Sequence, residues 1–340
     1  MRWERQRAGT EAQPTLVGLD DLVRSVRPPD FHGVTFHEVR ARSVLNKVPG
    51  SSPVPFRWTV NPYRGCSHAC RYCFARNTHT YLDFDAGADF DTQVVVKVNA
   101  PEVLTAQLRK PGWTHEHVAM GTNTDPYQRA EGRYELMPGI IRALAGSGTP
   151  FSILTKGTVL KRDLPLLRSA AGEVEVGLGV SIALLDAELQ RRVEPGTPSP
   201  RARLDLVRRA RSAGLPCGVM IAPVLPGLTD SVAALDELLA AVAEAGATSA
   251  TVLALHLRPG AREWYARWLA GDHPELVERY RELYRRGSYV DGSYRRLLAA
   301  RVGPLLRRHG FAGSADEPGH RLPSPRAAEP ASRGEQMTLL

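Results

Sequence analysis

The sequence predicts an α/β protein in which a parallel sheet is covered by helices. Three observations carry that reading. Strand-like and helix-like segments alternate from Phe56 onward for about 200 residues. Runs such as VVVKV at 94–98 and VEVGLGVSI at 174–182 are apolar without alternation, as strands buried on both faces are. Hydrogen-bonding residues (Asn99, Thr122, Thr124, Asp125, Lys156, Ser181, His256) gather where those runs end, and α/β folds do their chemistry at the ends of strands.

Taken in order, residues 1–55 mix charge, proline and short apolar pieces, with breaks at Pro28-Pro29 and at Pro49-Gly50-Ser51-Ser52-Pro53. They read as an irregular N-terminal extension. A short strand at 57–61 feeds a cysteine-rich loop, and a β-branched strand follows at 92–99, with Pro101 at a favoured first-turn position of the next helix. Lys97 and Asn99 alternate in that strand and are expected to share one face, pointing inward near its top. Further strands are expected at 117–121, 151–155, 174–181 and 217–223, with helices near 136–145, 201–213 and 231–245. A last strand-like run covers 249–256. Residues 261–270, 275–286 and 293–308 read as helices, and beyond Gly313 the Pro-, Ser- and charge-rich chain reads as disordered. No fixed-period repeat interrupts this order. The expected divisions are therefore 1–55, a core over 56–260, a helical region over 261–312, and a tail over 313–340.

Composition narrows the function. With 43% hydrophobic residues the chain can bury a sizeable core, and the absence of an 18-residue apolar run excludes a membrane span. The start, Met1-Arg2-Trp3-Glu4-Arg5-Gln6-Arg7, lacks the apolar segment of a signal peptide. Four cysteines, three of them clustered, fit a reduced cytoplasm rather than a disulfide framework. The net charge of +8 suits an anionic partner such as nucleic acid. Only five of the 44 basic residues are lysine, however, and an arginine-rich composition also follows from a GC-rich genome.

The stretch Asn61-Pro62-Tyr63-Arg64-Gly65-Cys66-Ser67-His68-Ala69-Cys70-Arg71-Tyr72-Cys73-Phe74-Ala75-Arg76 organises the rest. Its cysteines are spaced C-x3-C-x2-C, and soft sulfur ligands at such spacing select an iron–sulfur cluster, zinc or copper(I). A structural zinc site and an ordinary ferredoxin cluster each take four protein ligands. Here the count stops at three, because Cys217 lies in a distant apolar run. The natural reading is a four-iron cluster with one iron left open. A zinc knob completed by His68 or His79, and three cysteines without metal, are the alternatives.

The pattern C-x3-C-x-aromatic-C, with Tyr72 before the last cysteine, resembles the signature of the radical S-adenosylmethionine (SAM) superfamily. The longer string NPYRGCSHACRYCFAR is similar to its spore-photoproduct-lyase-like branch, the "DNA repair photolyases". That resemblance implies a partial (β/α)6 TIM-like barrel, with 249–256 as an added seventh strand or an edge. It implies a [4Fe–4S] cluster on Cys66, Cys70 and Cys73, whose open iron is chelated by the methionine end of SAM. It also implies reductive cleavage of SAM to a 5′-deoxyadenosyl radical, with an external electron donor of the flavodoxin or ferredoxin type. By the same resemblance Tyr72 borders the adenine, Lys156 and Ser181 contact SAM, and Thr124 matches a serine near SAM. A partner for the Lys156 ammonium is independently expected, since a lone buried ammonium is costly. Asp125 resembles a branch signature. Glu194, in Arg191-Arg192-Val193-Glu194-Pro195-Gly196-Thr197-Pro198, fits another and is expected to pair with Arg201 or Arg203.

The departures from that branch bear on the substrate. Thr122 stands where spore photoproduct lyase has its hydrogen-donating cysteine, and Phe74 stands where it has a tyrosine. Cys217 begins its strand six residues before Pro223, roughly 20 Å from the active rim at about 3.3 Å per residue, and reads as a small buried hydrophobe. The catalytic hydrogen donor is left open, and the spore lesion itself is not the expected substrate.

Three function classes follow. The first is a radical SAM enzyme that repairs or modifies nucleic acid, with Trp264, Tyr265, Trp268, Tyr280, Tyr284, Tyr289 and Tyr294 interleaved with arginines as a stacking surface. Against that surface, Leu276, Val277, Tyr280, Leu283 and Tyr284 follow helical spacing and read as core. The second is a radical SAM enzyme acting on a protein, peptide or small metabolite. The third is a non-enzymatic metal-binding module. The terminal Gln336-Met337-Thr338-Leu339-Leu340 resembles the pentapeptide with which bacterial DNA enzymes dock on the sliding clamp, so that clamp is an expected partner.

Overall fold

The computed structural model describes residues 21–50 and 54–311. Eleven strands are found among them: β1 (Leu22–Val26), β2 (Thr35–Val39), β3 (Leu45–Lys47), β4 (Trp58–Val60), β5 (Tyr63–Arg64), β6 (Gln93–Lys97), β7 (Val118–Met120), β8 (Phe151–Thr155), β9 (Val176–Ser181), β10 (Cys217–Val224) and β11 (Ser249–Ala254). Seven of them form the main sheet in the order β11-β10-β9-β8-β7-β4-β3. From β4 to β11 every neighbouring pair is parallel, and β3 closes one edge antiparallel to β4. The sheet is open: β3 and β11 are its two edges, and the described residues form no closed barrel.

Helices return the chain between parallel strands, as such connections require. Pro200–Ser212 begins at Ser199, whose Oγ accepts from Ala202 N at 3.3 Å, with Pro200 at the first helical position. Val232–Glu244 starts the same way on Ser231. The central strands are buried most deeply: all six residues of β9 are buried, as are all of β10 except Ala222. Chain-terminal to β11, helices Ala261–Asp272, Val277–Leu283 and Gly292–Arg308 complete the described fold. No helix among the described residues is long and apolar enough to cross a membrane.

Three expectations need correction. The 92–99 strand exists as β6, but it does not belong to the main sheet. It pairs parallel with β2 and antiparallel with β5 in a four-stranded sheet ordered β1-β2-β6-β5. Six parallel strands are present nonetheless, because β11 takes the sixth place at the edge. An apolar run reports that a strand is covered on both faces, and it cannot report which sheet the strand joins. The N-terminal region is not irregular where it is described: β1, β2 and β3 all lie within it, and all five residues of β2 are buried. Finally, Lys97 and Asn99 do not face the main-sheet rim. Lys97 Nζ donates to Asn61 O at 2.9 Å, and burial brings its ammonium down to about 8. The Asn99 amide exchanges hydrogen bonds with the backbone of Ala41, at 2.8 and 3.1 Å.

Candidate SAM and cluster site

The carboxyl ends of β7 to β11 and the cysteine loop surround a cavity of about 540 Å³. Cys66, Cys70 and Cys73 all line it, as do Tyr72, Thr124, Lys156 and Ser181. Every residue that the resemblance assigns to the cluster or to SAM is thus brought to one cavity. A larger, more open hollow around Trp264 contains none of them.

The cysteine loop is anchored from several directions. Cys66 N donates to Phe90 O at 2.9 Å, and Ser67 N donates to Gln128 Oε1 at 2.9 Å. Thr124 Oγ1 and Gln128 Nε2 both donate to Gly65 O, at 2.7 and 3.1 Å. The Thr124 hydroxyl therefore holds the loop as well as bordering the cavity. Arg76, fully buried, donates from Nη2 to Cys70 O at 2.9 Å and to the Asp91 carboxylate at 2.8 and 3.0 Å. The loop that carries Thr124 and Asp125 begins after β7, at a tight approach of that strand to β8. Gly121 there has φ +90, and a Cβ on it would stand 1.9 Å from Leu154 O, so no side chain fits.

Lys156 Nζ donates to Ser181 Oγ at 2.7 Å and lies 5.8 Å from the Tyr72 ring centre. The Tyr72 hydroxyl donates to Glu194, which pairs with Arg203 at 2.5 Å; both charged side chains are 0% exposed. Of the two partners expected for Glu194, the fold selects Arg203. Burial pulls the Glu194 carboxyl upward, but Arg203 and Lys156 outweigh it and hold it below its ordinary value. Asp125 behaves alike. Burial raises it, while His68, the Lys156 N–H at 2.7 Å and the Thr155 hydroxyl at 2.5 Å bring it below the usual range. In the opposite sense, burial pushes all three loop thiols up. Metal binding at these sulfurs must therefore displace protons.

Of the two histidines offered for a zinc knob, His68 lines the cavity with the cysteines and His79 does not. His68 Nδ1 stands 3.2 Å from Asp125 Oδ2, and His79 Nε2 bonds Gln93 O at 2.8 Å. Among the described residues no three His, Cys, Asp or Glu side chains are gathered tightly enough for a single ion. Four ligands on one zinc crowd at about 2.3 Å from the metal. In an iron–sulfur cluster each thiolate takes its own iron, so the sulfurs stand farther apart. Three soft donors opening on one cavity, without a fourth, fit the cluster. Cys217 is fully buried at the start of β10, and burial pushes its thiol up to about 12. It does not line the cavity, whereas Met220, Ala222 and Pro223 farther along that strand do.

Sequence reading missed Gln128, Arg76 and Arg258. Gln128 lies four residues after Thr124, a spacing that puts two side chains together on one helical turn, and that was the available signal. Arg76 closes the cysteine string itself. Arg258 lines the cavity and lies over the Phe74 ring at 5.3 Å, a pairing that only the fold reveals. The expected aromatic surface dissolves only in part into core, with Trp264 and Trp268 left half-buried. Tyr265, Tyr280, Tyr284 and Tyr294 are buried, and Tyr289 alone of the tyrosines in that region is well exposed, stacked on His256.

Fold and site together define a radical SAM enzyme, and a family model described as the radical SAM superfamily matches residues 60–246. The chain belongs to that superfamily, whose enzymes use a [4Fe–4S] cluster and SAM. An uncharacterized protein of Mycobacterium tuberculosis (strain ATCC 25618 / H37Rv) and one of Mycobacterium bovis are each 60% identical to it over 345 residues, covering 100% of both chains. An uncharacterized protein of Methanocaldococcus jannaschii is 28% identical over 195 residues, 57% of this chain and 69% of that one. Among solved structures, a mutant spore photoproduct lyase with bound AdoMet and dinucleoside spore photoproduct superposes with a TM-score of 0.61 at 15% identity. The match covers 80% of this chain and 78% of that one. At that identity the likeness is one of fold. It matches the resemblance read from the cysteine string, and membership of an enzyme family removes the reading as a non-enzymatic metal-binding module.

Proposed function

We propose that Cys66, Cys70 and Cys73 hold the [4Fe–4S] cluster, that SAM lies in the same cavity, and that the enzyme acts on nucleic acid. The observation that carries the first two parts is the convergence of three thiols and the Lys156–Ser181 pair on one cavity. A reduced cluster held by Cys66, Cys70 and Cys73 would supply the one electron, drawn from an external flavodoxin- or ferredoxin-like donor, that cleaves SAM to methionine and a 5′-deoxyadenosyl radical. The protein's part is to bind and orient. Lys156 presents its ammonium to a carboxylate, Ser181 fixes that ammonium from below, and the Tyr72 ring offers an apolar face beside it. Met120, Leu154 and Leu253 add an apolar wall to the same cavity. A reducing compartment such as the cytoplasm suits an oxygen-sensitive cluster.

Two observations support nucleic acid as the substrate class. Cations from opposite edges of the sheet, Lys47 on β3 and Arg258 beyond β11, line the one cavity. Each rests on an aromatic ring, Lys47 over Trp58 and Arg258 over Phe74, which suits a polyanion carrying flat rings. Spore photoproduct lyase, of like fold, was solved with a dinucleoside lesion. That particular lesion is not proposed here, because the Thr122 hydroxyl, which donates to Asn61 Oδ1 at 3.3 Å, replaces the donor thiol. The expected clamp-docking peptide lies outside the described residues. Anaerobic reconstitution should give four irons and four sulfides per chain, and dithionite with SAM should then yield 5′-deoxyadenosine. A chain that binds no iron overturns the proposal. Deuterium carried from labelled oligonucleotides into 5′-deoxyadenosine identifies the substrate, and transfer from peptides or metabolites alone excludes nucleic acid.

A further inference from the structure

The segment following helix Ala187–Val193 meets the cysteine loop at three successive places. Arg71 N donates to Val193 O at 2.9 Å, Gly196 N donates to His68 O at 3.0 Å, and the Tyr72 hydroxyl donates to Glu194. At Gly196 the two backbones touch: a Cβ there would stand 2.0 Å from Ser67 O. The segment is itself locked. Gln190 Nε2 donates to Glu194 O at 2.9 Å and to Thr197 Oγ1 at 2.7 Å, and Thr197 Oγ1 donates to Glu194 O at 2.9 Å.

The same segment also reaches the other side of the cavity. Arg203, which pairs with Glu194, donates from Nη1 to Ser181 O at 2.9 Å. Ser181 Oγ in turn accepts from Lys156 Nζ. One buried ion pair thus ties the residue beside the last cysteine to the end of β9 and to the cavity's ammonium. A fully buried ion pair is a poor source of net stability, since apolar side chains of equal volume serve as well. What it does supply is fixed geometry, because each charge tolerates few positions for its partner.

We propose that residues 193–197 are a clasp that sets the cysteine loop against the SAM-binding wall, with Glu194 as a positioning residue for SAM. The proposal rests on the placement of SAM given above. Glu194 does not line the cavity and touches no cofactor; it acts through Tyr72 on one side and through Arg203 and Ser181 on the other. Gly196 is the point at which the clasp closes.

The test compares anaerobically reconstituted wild type with Tyr72→Phe, Glu194→Gln and the double variant. Four quantities are read: iron content, SAM affinity by difference spectroscopy, the SAM-induced change in the electron paramagnetic resonance spectrum of the reduced cluster, and hydrogen exchange over residues 66–73. Iron content should stay full. Glu194→Gln should weaken SAM about tenfold, as loss of a charged hydrogen bond does, and should alter the spectral change. Tyr72→Phe should act in the same direction, and the double variant should be no weaker than Glu194→Gln alone, because both substitutions break one bond. Exchange in the loop should quicken in all three. Wild-type SAM affinity and spectrum with only a lower melting temperature would reduce Glu194 to a structural role, and additive losses would refute the shared route. If Glu194→Gln fails to fold, Tyr72→Phe, which removes a single oxygen, decides the matter alone. A wild type that holds iron but binds no SAM sinks the site reading, while the exchange of residues 66–73 still judges the clasp.

Discussion

Lys156 is where the electrostatics of the cavity meet. Its ammonium has Ser181 Oγ as hydrogen-bond partner and feels the buried Glu194 across the Tyr72 ring. Lys156→Ala should lower SAM affinity by roughly ten- to a hundredfold, the range for a charged hydrogen bond, with iron content unchanged. Titration of the reconstituted protein by difference spectroscopy checks it, and an unaltered affinity would return Lys156 to an ordinary rim lysine. Cys66→Ala, Cys70→Ala and Cys73→Ala should each abolish SAM cleavage, whereas Cys217→Ala, far from the cavity, should leave it nearly intact. Asp125 and Glu194 give a pH prediction. Both carboxyls are held below their unfolded values in the fold, so their stabilisation is present above about pH 4.5 and is lost as pH falls through their folded values. Thermal unfolding of the cluster-free protein between pH 7 and pH 3 should show that loss, with a shallower slope in Asp125→Asn. The three cysteines were legible because their spacing is local. The choice of Arg203 over Arg201 was not, since both lie on one helix and only its rotation against β9 decides which guanidinium is buried.

At the scale of elements, the approach of β7 to β8 is the most demanding junction. Gly121→Ala should destabilise the protein by about 3 kcal/mol, from a positive φ together with a clash against Leu154 O. Urea unfolding measures it, and a loss below about 0.5 kcal/mol, the range of indifferent surface changes, would mean that the junction opens freely. Strand and helix positions were largely readable, because apolar runs, serine caps and prolines are local signals. Helix Pro200–Ser212 was placed within a residue at each end. Sheet membership was not readable. β6 has the most strand-like sequence in the chain, yet it pairs with β2 and β5, and the short partner strands β1 and β2 lie in a region whose prolines and charges masked them. Pairing is a long-range property, and a single strand's composition does not encode its neighbour.

Across the whole molecule, residues from both edges of the open sheet share one cavity. Lys47 from one edge and Arg258 from the other should act together on a polyanion. Lys47→Ala with Arg258→Ala should weaken retention on single-stranded DNA and flatten its dependence on salt by about 1.4 units of the log–log slope, about 0.7 for each cation, measured anaerobically by fluorescence anisotropy. Equal retention of the wild type and the double variant, or retention indifferent to salt, would place the polyanion elsewhere. The C-terminal helices serve the fold rather than that surface. Tyr294 Oη donates to Asp230 Oδ2 at 3.0 Å and Arg301 Nη1 to Asp230 O at 2.6 Å, pinning the last helix to the turn after β10.

The anchoring of the cysteine loop has a consequence for the life of the enzyme in air. Phe90, Gln128, Arg76 and the 193–197 segment hold residues 65–73 from separate parts of the chain, and none of those bonds passes through a sulfur. A zinc finger collapses without its ion because the ion is its core; this loop has a core of its own. Oxidative loss of the cluster should therefore strip the enzyme without unfolding it. The socket that remains is ready to be refilled, so oxygen exposure becomes a matter of maintenance, met by fresh iron and sulfide, rather than of synthesis of a new chain.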